Sequence, residues 1–187
     1  MKKTLILSLL VMFLITCYPK TNAQSNLFAG VKSGMTYSQF ISHCKSSSYF
    51  SVNGDEITVV MNYRTYNVNG YFNKNGELWD LVFMSKDVYY SSQYYKVKEN
   101  ARELYDIASV NFGTPDYNVW VDYYNVPLNN FTIVCSFKNN NLSVAIAVYN
   151  IVYTYNAALT ILDYNYYDGT TENGKSNDNS RTDDTRI

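Results

Sequence analysis

Apolar residues recur at two different periods along this chain, and the switch between them marks out its elements. Within Ser91–Asp116, Val97, Ala101, Leu104, Ala108 and Phe112 return at three- and four-residue steps, which predicts one face of a helix. Lys98, Glu99, Arg102, Glu103 and Asp106 fall largely on the other face. Gly113 can take the left-handed turn that closes a helix, and Pro115 prevents a restart. A shorter helix is predicted behind Gly34-Met35-Thr36, where Thr36 and Gln39 form a T-x-x-Q capping box and Tyr37, Phe40, Ile41 and Cys44 share a face.

Elsewhere the period is two. Ile57, Val59, Met61 and Tyr63 alternate with Thr58, Val60 and Asn62, Tyr66 to Phe72 forms a more polar strand, and Trp79, Leu81 and Phe83 line a third. Asn73-Lys74-Asn75-Gly76 supplies a hairpin turn, because Asn-Gly tolerates positive φ. After the long helix, strands are predicted over Val119–Tyr124, Phe131–Lys138 and Leu142–Tyr149. One or two more follow, over Val152–Tyr155 and Leu159–Tyr164.

A shift of 64 positions lays Lys74–Leu78 on Lys138–Leu142, Thr36–Ser46 on Asn100–Val110 and Tyr66–Phe72 on Asn130–Ser136. Three elements in register predict a duplication. The expected fold is α+β: two tandem helix–β–β–β units, 24–90 and 91–167, with helices packed on antiparallel sheet. Residues 168–187 are polar and read as a disordered tail.

The amino end changes the picture of where the protein works. Lys2 and Lys3 precede an apolar run from Leu5 to Ile15, too short to span a bilayer, and Asn22-Ala23 offers a small-residue cleavage site. Residues 1–23 therefore read as a cleavable signal peptide, with a periplasmic or secreted destination. Lipidation at Cys17 is the less favoured alternative. Without those residues the chain carries 12 basic and 16 acidic side chains, which argues against a nucleic-acid partner. No second membrane segment remains. Cys44 and Cys135 are then the two cysteines: either a disulfide closing about 92 residues or two free buried thiols.

Candidate chemistry is sparse. His43 is the single histidine, and no nucleophile elbow, phosphate loop, paired-cysteine zinc motif or calcium loop accompanies it, so no cofactor or metal is implied. Asp80 and Asp122, beside Trp79 and Trp120, are the acids a glycan hydrolase could use, but the 64-residue shift does not superpose them. The unusual feature is tyrosine, 20 in all, with doublets at 89–90, 94–95, 123–124 and 166–167. Tyrosine favours strands, and it also gives binding surfaces rigid contact area with a hydroxyl. Trp120, Tyr123 and Tyr124, together with Tyr66, Tyr71 and Trp79, are the candidate binding residues.

Gly34-Met35-Thr36 opening a helix, and Gly113-Thr114-Pro115-Asp116 closing one, resemble the small lipoprotein subunit of the outer-membrane β-barrel assembly machinery. The tandem arrangement is similar to the β-lactamase inhibitor protein family. That resemblance implies a concave sheet gripping a protein. The expected function is an exported, non-catalytic binding protein presenting an aromatic-rich sheet face to an envelope or extracellular protein. A glycan-binding module and a small envelope hydrolase are the alternatives.

Overall fold

Thr36 starts the first helix as its sequence predicts: its hydroxyl accepts from the Gln39 backbone, and the Gln39 side chain accepts from the Thr36 backbone. The computed structural model describes residues 24–169 together with Glu172 and Asn173. The signal peptide expected over 1–23, with Cys17, lies outside the described residues, as does most of the expected tail.

A small hairpin, β1 (Asn26–Phe28) and β2 (Val31–Lys32), precedes helix α1 (Tyr37–Ser46). Four strands follow: β3 (Phe50–Asn53), β4 (Glu56–Met61), β5 (Arg64–Phe72) and β6 (Leu78–Ser85). The short β7 (Tyr89–Tyr90) leads into α2 (Tyr94–Phe112), which ends where Gly113 takes φ +84°. Then come β8 (Tyr117–Asn118), β9 (Asn130–Asn139), β10 (Leu142–Ile151) and β11 (Thr154–Asp163). Glu172–Asn173 form β12, paired with the end of β5.

This arrangement corrects the expected fold class. There are not two helix–β–β–β units but one ten-stranded antiparallel sheet, in the order β3-β4-β5-β6-β11-β10-β9-β8, with β12 and β7 added at β5 and β11. The 64-residue shift superposes β5 on β9 and β6 on β10. In space, counting outward from the central β6·β11 pair, β6 answers β11 and β5 answers β10. The sequence register is thus one strand out. The segment Val119–Tyr124 is also not a strand. Val119 donates one backbone bond to Val134, and the chain then turns through a short 3-10 helix over Tyr123–Asn125.

Both helices lie on one face of the sheet, because their apolar stripes and one face of each long strand can only be buried against each other. Phe40 and Cys44 of α1 and Val97, Ala101, Leu104 and Ala108 of α2 meet Val68, Leu81, Phe83, Val144, Ile146, Leu159 and Ile161 in a single core. Trp79, Val82, Ala145, Ala147 and Ala158 are also buried, but they lie outside that core, on the face that no helix covers. Among the described residues no helix is long and apolar enough to cross a membrane.

Candidate functional site

Aromatic side chains gather at two places. The first is at the amino end of α2. The β10–β11 hairpin turns through Val152 and Tyr153, both with positive φ (50° and 64°), as a two-residue primed turn requires. Neither residue favours that region, and a β-branched valine there is strained. The turn brings Tyr153 out beside Tyr155, while β7 pairs Tyr89 and Tyr90 with Tyr155 and Thr154.

Tyr94, Tyr123 and Tyr155 form a mutual edge-to-face cluster, with ring centres 5.3 to 6.2 Å apart. Tyr124 stands against Tyr123 at 5.7 Å. Tyr94 and Tyr155 are buried. Tyr123 and Tyr124 are exposed at 43% and 71%, so the buried pair carries Tyr123 and Tyr123 carries Tyr124, while Tyr153 stands exposed on the turn. Lys98 caps the group: its ammonium bonds Asp122 at 2.6 Å and sits 5.7 Å from the centre of the Tyr94 ring. That hydrogen bond, with one from the Tyr124 hydroxyl, holds Asp122 below the usual carboxylate range. Burial first, then the Asp122 charge, pushes Tyr94 up to about 12.

The second place is the helix-free face. Its middle is a floor of small side chains: Val82 on β6, Ala158 and Thr160 on β11, and Ala145 and Ala147 on β10. Larger groups rim the floor. Tyr71 pairs across β5–β6 with Asp80, and Tyr149 stacks on Phe131 at 5.3 Å. A bulge opposite Tyr71/Phe72 turns Trp79 out of the helix-side core, where its ring lies 4.7 Å from that of Tyr167.

Asp80 is 9% exposed and accepts from the Thr160 hydroxyl at 2.7 Å. Desolvation pushes it up to about 6 against those stabilising hydrogen bonds. Asp80 and Tyr149 sit six residues apart in register, about 20 Å along a flat sheet. Burial first, then the charges of Tyr71 and Asp80, raises the Tyr149 hydroxyl.

The candidate residues divide between these places and the core. Tyr123 and Tyr124 belong to the tyrosine patch. Trp120 flanks it, half-buried, with the Arg102 guanidinium 5.5 Å from its ring centre and Tyr105 beside it. Tyr71 and Trp79 belong to the helix-free face. Tyr66 belongs to neither: it is fully buried and its hydroxyl donates to Asn100 Oδ1 at 2.6 Å. Asp80 and Asp122 do not meet, since one is buried on the helix-free face and the other exposed beside Lys98. His43 bonds the Ala29 carbonyl through Nε2 at 2.9 Å. Cys44 and Cys135 are free and buried, and burial pushes their thiols up to about 12 and about 11.

Tyr94, Tyr153 and Tyr155 are patch members that strand and helix patterns do not single out. The doublet at 94–95 is the signal that could have found the first of them. No protein-family model matches this chain, and neither a curated protein nor a solved structure does.

Proposed function

We propose that this is an exported, non-catalytic binding protein of the cell envelope or extracellular space, and that its tyrosine patch holds a partner protein. The observation that carries the reading is the mounting of exposed Tyr123, and of Tyr124 against it, on the buried Tyr94–Tyr155 pair. Rings fixed from below offer large contact area at small entropic cost, the property that makes tyrosine common in protein-binding surfaces. The strained Val152–Tyr153 turn adds support, because strain of this kind persists where a side chain must be held in a particular place. Lys98 and Asp122 give the patch one charge of each sign, suited to orienting a partner at the rim of the contact.

The test is crosslinking of the tagged protein in its native envelope, followed by identification of what is captured. A reproducible protein partner, retained by wild type and lost with Tyr124→Ala and Tyr153→Ala, supports the reading. Capture that is indifferent to both substitutions overturns it.

A further inference from the structure

We infer that the helix-free face is a second binding site, separate from the tyrosine patch, and that its ligand is a neutral oligosaccharide. Among the described residues, four buried side-chain polar atoms have no hydrogen-bond partner: Asn67 Oδ1, Trp79 Nε1, Asn150 Oδ1 and Asn156 Oδ1. Asn150 faces the helix side, where its amide group reaches the Val126 carbonyl. The other three share the helix-free face, by the alternation of β5 and β11 and by the bulge at Trp79. Trp79 is 5% and Asn156 9% exposed. An unmet buried donor or acceptor is costly to the fold. Three on one face are groups that no described residue satisfies and that a bound ligand could meet.

The mixture of groups selects the chemistry. The indole N–H only donates, the two amide oxygens and an ionised Asp80 only accept, and the Tyr71 and Tyr149 hydroxyls do either. An anion would meet the indole and be repelled by Asp80. A cation would satisfy the oxygens and leave the indole unmet. A hydroxyl serves both kinds of atom, so a polyhydroxylated ligand without charge fits the whole set. No ion pair among the described residues occupies Asp80.

Shape agrees with this. The floor of Ala145, Ala147, Ala158 and Thr160 leaves room for a ring to lie flat, and aromatic pairs stand at both ends, Tyr149 with Phe131 and Trp79 with Tyr167. Sugar rings pack their C–H faces on such aromatics while their hydroxyls reach polar neighbours. The run from Asn156 to Asp80 covers six residues of β11, about 20 Å, so several linked sugars are accommodated rather than one.

The test follows the two indole N–H signals of the full-length 15N-labelled protein by NMR, with Trp120→Phe used to assign them. The titrants are neutral tetrasaccharides (β-1,4-glucose, α-1,4-glucose, β-1,4-xylose, β-1,4-mannose), with tetragalacturonate and tetramethylammonium as charged controls. At least one neutral tetrasaccharide moves the Trp79 signal, and its disaccharide binds about tenfold more weakly. Trp79→Phe, which keeps a ring and removes the donor, and Asp80→Asn each weaken binding by about tenfold. The exposed helix substitution Val110→Ser leaves binding unchanged. The inference is overturned if no neutral sugar moves the Trp79 signal at about 10 mM. It is equally overturned if a charged control binds more tightly, or if Trp79→Phe binds like wild type.

Discussion

The tyrosine patch and the helix-free face use the same residue type in opposite ways. In the patch the exposed rings supply area, and the Tyr94 and Tyr124 hydroxyls are met by Val121 and Asp122. The only charges there, Lys98 and Asp122, satisfy each other. On the helix-free face the rings close over small residues, and the polar groups are buried, mixed in character and partly unmet. A surface of the first kind can be trimmed with little damage to the fold. One of the second kind is held against the fold's own preference. Burial of Tyr66 with a full complement of partners, Asn100 and through it Ser85, shows what a purely structural tyrosine looks like in the same molecule.

The largest test of this contrast is Asp80. Its folded value of about 6 lies above the ordinary 3.8, so the folded state holds the proton longer than the unfolded state does. Stability is therefore full below about pH 4, falls as pH rises from about 4 to 6, and is lower by about 3 kcal/mol above that window. Asp80→Asn removes this cost: it raises denaturation midpoints at pH 8 and changes little at pH 4. Equal effects at both values would show that Asp80 is not a strained, buried acid.

Tyr66→Phe comes next, with the opposite sign. It leaves Asn100 Oδ1 without its donor in the core and destabilises by about 1–3 kcal/mol in urea titrations at any pH from 5 to 8. Replacing the strained turn with Val152→Asn and Tyr153→Gly relieves positive-φ strain and stabilises by about 1–2 kcal/mol while reducing partner capture. The smallest effect belongs to Tyr124→Ala, which shifts stability by less than about 0.5 kcal/mol because the ring is exposed, yet abolishes capture. A large loss of stability there would make the patch part of the fold rather than a surface.

Much of the architecture was legible in local pattern. The Thr36–Gln39 capping box, the Gly113 stop and the Asn73–Gly76 hairpin are each determined within a few residues, and they stand where the sequence puts them. What was not legible depends on distant partners. Val119–Tyr124 alternates like a strand, but the Tyr123 ring packs on Tyr94 and Tyr155 and Asp122 is drawn to Lys98, so the segment turns instead. Alternation placed Trp79 with Leu81 and Phe83, whereas a bulge that no periodicity reveals sends it to the opposite face. The repeat misled because similar hairpins recur in the chain one strand out of step with their places in the sheet. Of the two aromatic surfaces, the patch was half visible in Trp120, Tyr123 and Tyr124. The helix-free face needed the pairing of β6 with β11 before Tyr71, Asp80 and Tyr149 could be placed on one surface.

That same central pairing governs the order in which the molecule can be made. β11 ends at Asp163, yet it sits beside β6 in the middle of the sheet. Until nearly the whole chain has emerged, β6 remains an open edge and the core lacks Leu159 and Ile161. Contacts so distant in sequence close slowly. A chain built this way commits to its fold only when β11, the last long strand among the described residues, arrives.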